Sequence, residues 1–188
     1  MVSTHQTQSA DQCQNEFQMN NIIRQDLFRY IGTDCHKLRS RIRYILFTPG
    51  FQYIYCFRHA SSARNPLSRL FWKVLLRRCM FHSGIQIPAG THIGPGFRIS
   101  HFGAIVINPA AQIGKNFSIA QGALIGSAEG KHKGIPVIGD NVIMSANSLI
   151  IGGGTCRRLH PARARRLCQF RRTGTFNRHR QSGTYYPV

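Results

Sequence analysis

The chain has 188 residues and a formal net charge of +19, with 25 Lys and Arg against 6 Asp and Glu. This length fits one domain, or one domain with a small appendage, and no apolar run approaches the ~18 residues that a membrane-spanning helix needs. The polar start has no signal-peptide core and the six cysteines have no metal-ligand spacing. We therefore expect a cytoplasmic protein with neither a metal site nor a disulfide framework.

Positive charge is concentrated in two parts of the chain. Ten basic residues and no acid lie between Lys37 and Arg78, and nine arginines and no acid follow Gly152. The first cluster predicts basic helices with a solvated face, and the alternative is a surface that docks near an anionic membrane or an acidic polymer. A nucleic-acid interpretation depends almost wholly on the arginines of the tail, so we expect no specific nucleic-acid partner.

The first part of the chain is predicted to contain no strands. Residues 1–20 are rich in Gln, Asn and Ser, which predicts a disordered N-terminus. Residues 21–82 are predicted to be helical, and Asn65 and Pro66 suit the cap and the first turn of one helix. Its apolar residues follow helical spacing at Leu67, Leu70, Phe71, Val74 and Leu75. The aromatic run from Phe51 to Phe57 is predicted to pack against the base of the following domain.

A six-residue repeat predicts a parallel β-helix over residues 83–154, and so a mainly β fold preceded by an α-helical segment. The repeated apolar positions form a first ladder and, after a two-residue slip, a second: Ile87, Ile93, Ile99 and Ile105, then Ile107, Ile113, Ile119, Ile125, Ile138, Met144 and Ile150. Each residue is expected to stack on its equivalent one coil away. The repeat lapses between Gly126 and Gly134, which predicts a loop that leaves the coil.

The tail, residues 155–188, has no six-residue repeat and no acid. A basic disordered tail is one interpretation, and a shifted reading frame is the other. Codons for Cys156–Leu159, read one base later, permit Val-Gly-Asp-Tyr, and those for Asn177–Ser182 permit Ile-Val-Ile-Gly-Asn-Pro. Both would restore the repeat. We predict that the tail is a frameshifted remnant of the last coil and that the chain as written has low activity.

The segment from Ile85 to Gly153 contains three blocks that resemble a known family. They are Ile87-Pro88-Ala89, His101-Phe102-Gly103-Ala104-Ile105-Val106-Ile107-Asn108, and Ile135-Pro136-Val137-Ile138-Gly139-Asp140-Asn141-Val142. The segment resembles the left-handed β-helix acyltransferases, and specifically the serine acetyltransferase family with its polysaccharide-modifying relatives. The resemblance implies a left-handed coil, acetyl-CoA as acyl donor, no metal, and a homotrimer.

The resemblance also implies an acceptor site around His101. This histidine would act as general base and remove the proton of the acceptor hydroxyl, a role that suits a neutral imidazole. Two positions depart from the family's pattern: Ser100 stands in the place of an acid, and Ile135 stands in the place of a second histidine. We expect Ser100 and the nearby loop residue His132 to contact the acceptor, with a merely solvated His132 as the alternative.

For the donor, the resemblance implies a groove between adjacent β-helices of the trimer. Small side chains would let the thin CoA arm lie against the coil wall, and lysines would meet its phosphates. The residues expected to line this groove are Gly126, Ser127, Lys131, Lys133, Ser145 and Ala146. Ordinary solvated loop lysines are the alternative for Lys131 and Lys133.

These observations favour an acetyl-CoA-dependent O-acetyltransferase of the serine O-acetyltransferase type, which would serve cysteine biosynthesis. The two departures at the acceptor site keep a second enzyme open, one that acetylates a sugar hydroxyl of a surface polysaccharide. A non-catalytic hexapeptide scaffold is the alternative of another class, because β-helices also serve as structural subunits.

Overall fold

The structure, a computed structural model, describes residues 19–129 and 133–156 and the backbone of a short strand at Cys168–Gln169. Helices come first. They are α1 over residues 19–31, a 3-10 turn Gly32–His36, α2 Leu38–Phe47, α3 Pro49–Ser62 and α4 Pro66–Ser83. Among the described residues, no helix has both the length and the apolarity that a bilayer crossing needs.

Helix α4 begins where the sequence predicts. The Asn65 side chain accepts a hydrogen bond from the Leu67 N–H (3.1 Å), and Pro66 occupies the first turn. The helix ends at Gly84, whose φ of +67° is a left-handed conformation that suits glycine. Leu67 and Leu70, however, lie on the exposed side of α4, while Leu76 on the opposite side is buried. The apolar spacing correctly predicts the helix but does not mark its buried face.

Helix α3 is the buried helix of the segment. Its aromatic residues Phe51, Tyr53 and Phe57 are almost fully buried. The Tyr53 hydroxyl donates to the Ile87 carbonyl and accepts from the Ile87 N–H, both at 2.9 Å. The aromatic run therefore packs against the first coil of the β domain, as predicted.

Twelve short strands follow and pair only in parallel among the described residues. They are β1 Ile85–Gln86, β2 His92–Ile93, β3 Arg98–Ile99, β4 Ile105–Ile107, β5 Gln112–Ile113, β6 Ser118–Ile119, β7 Leu124–Gly126, β8 Pro136–Ile138, β9 Ile143–Met144, β10 Leu149–Ile151, β11 Gly154–Cys156 and β12 Cys168–Gln169. Every third strand pairs up to β10, which makes three sheets: β1-β4-β7-β10-β12, β2-β5-β8-β11 and β3-β6-β9. These sheets, called faces A, B and C below, are the walls of a parallel β-helix.

The isoleucine ladder forms the interior of this coil, as predicted. Ile113, for example, pairs in register with Ile93 on one side and with Ile138 on the other, and all three are buried. A regular coil takes 18 residues, as from Val106 to Leu124. The coil from Ile85 to Ile105 takes 20 because two extra residues lie between β3 and β4. The slip therefore comes before Ile105, whereas the repeat predicted it between Ile105 and Ile107.

The ladder continues past the point where the repeat seemed to end. Strand β11 pairs with β8, and this register places Cys156 on Ile138, with both side chains buried. The backbone at Cys168–Gln169 pairs with β10. The last described face-B strand therefore ends two residues beyond the expected end at 154. The remaining tail and most of the expected disordered N-terminus lie outside the described residues.

A buried ion pair joins the helices to the first coil. The Arg58 guanidinium donates to both carboxylate oxygens of Asp26 (2.7 and 3.2 Å) and to the carbonyls of Ile93 (2.6 Å) and Gly94 (2.7 Å). Asp26 also accepts the Phe97 N–H at 2.7 Å. Burial raises the pKa of Asp26, and the Arg58 charge opposes that rise.

Candidate functional site

The corner between β3 and β4 carries His101. The two extra residues widen this corner, and its backbone turns through positive φ at Gly103 (115°) and Ala104 (49°). An alanine with positive φ is uncommon, so the neighbouring structure must hold the turn in place. Ser100, His101 and Phe102 all point to solvent. The widened loop therefore presents the imidazole on the outside of the coil.

Backbone hydrogen bonds to the adjacent coil fix this corner. The Ser100 N–H donates to the Ile119 carbonyl (2.8 Å), and the Gly122 N–H donates to the Gly103 carbonyl (3.0 Å). Ile105 N–H donates to the Gly84 carbonyl at 3.2 Å, which also ties the corner to the end of α4. His101 is thus exposed but stands on a backbone that is held at both ends.

Small residues lie beneath the His101 corner. The register of face C places Ala120 one coil away from Ser100 and Ser145 two coils away, with Ala146 next to it. Since neighbouring strands are ~4.8 Å apart, Ser145 lies about 10 Å from Ser100 along the coil axis. Ser145 and Ala146 are half-buried. The side chains at Ala120, Ser145 and Ala146 are therefore small at successive coils of this edge.

The other predicted donor residues lie at a different edge. Gly126 ends β7, and Ser127 opens the loop that leads from face A to face B. The base of this loop is closed by two backbone hydrogen bonds of 3.1 Å between Ala128 and Gly134. Lys133, which is exposed, belongs to the same base. Within one chain, the structure does not bring this group together with His101, because face A separates the two edges.

Two of the predicted site residues, Lys131 and His132, lie outside the described residues. Ile135, the residue that replaces the second family histidine, is 37% exposed beside this loop. An apolar side chain there offers no hydrogen bond to a carboxylate.

The imidazole of His101 has no side-chain partner among the described residues. Two of the described acids, Asp26 and Asp34, pair with Arg58 and Lys37, and Asp140 accepts the Lys115 N–H at 2.6 Å. The fourth, Glu129, lies in the face A to face B loop. No described carboxylate therefore orients the imidazole within one chain.

Sequence reasoning missed two polar side chains on the same edge as His101. Gln121 and Asn147 follow Ala120 and Ala146 in successive coils, and the Asn147 N–H donates to the Gln121 carbonyl at 2.9 Å. Both side chains are exposed. The only sequence signal was their position after a small residue at the corner of the repeat. Within the described residues, no cluster of three or more His, Cys, Asp or Glu could hold a metal ion.

Comparison with known proteins finds serine acetyltransferases among the relatives of this chain. No family model matches the chain. It is 29% identical over 116 residues to a serine acetyltransferase of Helicobacter pylori, which covers 61% of this chain and 67% of that protein. It is 31% identical over 122 residues to a serine acetyltransferase of Bacillus licheniformis, covering 64% of this chain and 56% of that protein. The chain thus spans about half to two thirds of the length of these relatives.

Solved structures of serine acetyltransferases also resemble this chain in fold. A Neisseria gonorrhoeae serine acetyltransferase in complex with serine superposes with a TM-score of 0.60 at 25% identity, over 77% of this chain and 60% of that one. Isoform 3 from Entamoeba histolytica, in complex with cysteine, superposes with a TM-score of 0.58 at 26% identity, over 73% and 49%. These likenesses confirm the predicted fold, a left-handed parallel β-helix preceded by helices.

Proposed function

Because the chain is related in sequence and in fold to the serine acetyltransferases, we propose that it is an acetyl-CoA-dependent serine O-acetyltransferase that serves cysteine biosynthesis. One observation carries the proposal: His101 stands exposed on a held corner, and the small residues Ala120, Ser145 and Ala146 lie on the same edge in the following coils. Acetyl transfer from acetyl-CoA needs a base that is open to solvent and, beside it, a groove for the extended donor.

In the proposed reaction, His101 takes the proton from the serine hydroxyl while the hydroxyl oxygen attacks the thioester carbonyl of acetyl-CoA. The tetrahedral intermediate then collapses, the C–S bond breaks, and the CoA thiolate takes the proton from the imidazolium. The products are O-acetylserine and CoA. General-base assistance of this kind contributes typically ~10²–10⁴-fold to the rate.

The oxyanion of the intermediate needs hydrogen-bond donors. Among the described residues, the N–H groups of Phe102, Gly103 and Ala104 donate to no other backbone group. They lie next to His101 on the widened corner, so we assign them as the donors. Fixed backbone N–H groups suit this role because they need no reorganisation when the charge develops.

A second copy of the chain would complete the donor site. The small residues below His101 and the group of Gly126, Ser127 and Lys133 lie on different edges, and a homotrimer would set one edge of each chain beside the other edge of its neighbour. Val137 on face B and Ile143 on face C are also exposed by 41% and 42%. Association of the coils would cover these apolar side chains.

An acceptor other than serine is the second candidate. Ser100 and Ile135 replace the two residues with which the family is expected to handle an amino acid, and no described carboxylate reaches His101. A sugar hydroxyl of a surface polysaccharide precursor needs no carboxylate-binding group. This observation favours the polysaccharide-modifying variant of the same reaction.

The test is acceptor-dependent release of CoA thiol. The 188-residue chain and a chain with its reading frame restored would each be assayed with acetyl-CoA and serine, and then with nucleotide-linked and lipid-linked sugars. We expect the restored chain to turn over serine well above the rate without acceptor. Turnover of a sugar alone would shift the proposal to the polysaccharide enzyme. A restored chain that releases no thiol with any acceptor would contradict both the serine and the polysaccharide enzyme. It would favour the non-catalytic hexapeptide scaffold.

The frameshift is a separate proposal about the tail. It is supported by the loss of the six-residue repeat and of acidic residues after Gly154, although strand β11 still pairs with β8 at this point of the coil. Resequencing the gene around the Gly152–Thr155 codons tests it. A single-base insertion or deletion there is expected, and an unbroken gene without a hexapeptide frame in any register would contradict it. The domain bounds and the cytoplasmic location stay predictions.

A further inference from the structure

Helix α4 exposes an apolar stripe on the side opposite its buried face. Its members lie at helical spacing and are 61–76% exposed: Leu67, Leu70, Phe71, Val74 and Phe81. At 100° per residue they fall within an arc of about 100°. Leu76 and Ser83, on the other side, are buried. The stripe is not the packing face of the helix, so the fold itself leaves it uncovered.

Basic side chains lie on one side of this stripe and within it: Lys73 and Arg77 border the stripe, Arg69 lies further round the helix, and exposed Arg78 falls inside the stripe's arc. Arg69, Lys73 and Arg77 are spaced four residues apart and are all exposed. The Arg77 guanidinium lies over the Phe81 ring, 5.4 Å from its centroid. No acid occurs in the sequence between Asp34 and Glu129, so no acidic side chain of α4 neutralises these basic side chains.

The apolar stripe and the basic side chains beside it together restrict the kind of partner that α4 can bind. A second copy bound stripe to stripe would place two uncompensated sets of basic side chains near each other, which costs free energy. An anionic polymer would pair with the basic side chains but would leave the apolar stripe in water. An anionic bilayer accepts both, because apolar side chains enter the headgroup and acyl boundary while Lys and Arg reach the lipid phosphates.

We propose that α4 docks this protein on anionic phospholipid bilayers, with its axis in the plane of the interface. The docking goes beyond the acetyl transfer and does not depend on it. Helix α4 has 18 residues and is therefore about 27 Å long, enough to lie along a surface for five turns. Helix α2 has a similar composition, with exposed Leu38, Leu46 and Phe47 beside Arg39 and Arg43.

Co-sedimentation of the full 188-residue chain with vesicles tests the proposal. Vesicles of phosphatidylcholine with one quarter phosphatidylglycerol are compared with pure phosphatidylcholine at ~0.1 M salt, because charges are screened over ~10 Å there. Binding is expected to be at least tenfold stronger to the anionic vesicles. Equal binding to both, or none, would overturn the proposal.

Two matched pairs of variants locate the contact. Phe71→Ser is expected to weaken binding to anionic vesicles at least fivefold, whereas Phe28→Ser, at an exposed phenylalanine of α1, changes it less than twofold. Lys73→Glu is expected to weaken binding to anionic vesicles at least fivefold. Lys115→Glu makes the same change of charge on the β-helix and is expected to weaken this binding less than twofold. Both residues of each pair are exposed, so circular dichroism should show intact folds.

The same variants separate α4 from other sources of binding. The arginine-rich tail is present in all of them, so attachment through the tail would leave Phe71→Ser and Lys73→Glu indistinguishable from their controls, and this would overturn the proposal. A Phe71-dependent association of copies without vesicles, together with vesicle binding that ignores Phe71, would overturn it as well.

Discussion

The two ion pairs described in this chain differ in what they contribute. Arg58 and Asp26 are buried between the helices and the first coil, whereas Lys37 and Asp34 pair at 2.8 Å with more than half of each side chain exposed. Exposed pairs contribute little because water and salt screen them. A buried pair is costly to break, because the remaining charge stays without a partner.

We therefore predict that Arg58→Ala destabilises the protein by about 3–5 kcal/mol, since Asp26 and the carbonyls of Ile93 and Gly94 lose their donor. The control, Lys37→Ala, should cost less than about 1 kcal/mol. Urea unfolding followed by circular dichroism measures both. Equal small effects would show that the buried pair does not hold the helices to the coil.

Cys79 is the second residue with an altered environment. Its sulfur lies 3.7 Å from that of Cys56, and the hydrogen bond from Cys56, helped by the charge of Arg78, lowers the pKa of Cys79 to about 7. The same hydrogen bond and, after it, burial raise the pKa of Cys56. Cys79 is half-buried, so a small reagent reaches it. The pair therefore raises the thiolate fraction of Cys79 at neutral pH well above that of an ordinary cysteine.

Alkylation by iodoacetamide tests this assignment. The rate at Cys79, followed by mass spectrometry of its peptide, should rise with pH with a midpoint near 7, because the thiolate is the nucleophile. In Cys56→Ala the donor is lost, and the midpoint should move upward toward the ordinary thiol range. An unchanged midpoint in that variant would mean that Cys56 does not set the pKa of Cys79.

At the scale of the element, the corners of the coil constrain side-chain size. A Cβ at Gly94 would lie 2.7 Å from the backbone carbon and oxygen of Gly114 in the next coil. Gly90, also between strands, has no atom within 4 Å of such a Cβ. Stacking of coils, and not turn conformation, is therefore the reason for glycine at 94, because its φ is not positive.

Gly94→Ala is predicted to destabilise the β-helix by about 1–3 kcal/mol through overpacking against the next coil. Gly90→Ala, the matched control, should change stability by less than about 1 kcal/mol. Thermal unfolding of the two variants and of the unmodified chain measures both losses of stability. A Gly90→Ala effect as large as that of Gly94→Ala would contradict the stacking argument.

The elements differ in how far sequence alone could predict them. The ladder and the loop after Gly126 were predictable because each repeated position has one environment, but the two-residue slip lies before Ile105 and not between Ile105 and Ile107. The partnership of Asp26 with Arg58, 32 residues apart, has no local signal. The exposure of Phe71 was not predictable either, because periodicity identifies a face but not what covers it. The His101 corner was predictable as a motif, but its alignment with Ser145 needs the coil register.

At the scale of the whole molecule, the two parts of the proposed site lie on different edges of one chain. A homotrimer would bring them together, and we predict that light scattering on the chromatographed protein with its reading frame restored gives about three times its monomer mass. A monomer that is fully active would contradict the shared site. It would require one chain to hold acetyl-CoA at the His101 edge alone.

The most direct measurement compares two histidines on the same β-helix. His101 stands on the widened corner, and His92 is exposed on face B. In acceptor-dependent release of CoA thiol from acetyl-CoA, His101→Ala in the frame-restored chain should lower kcat by ~10²–10⁴-fold. His92→Ala should leave it within twofold. A His101→Ala variant with a near-normal rate would contradict the assignment of the general base, and with it the proposed mechanism.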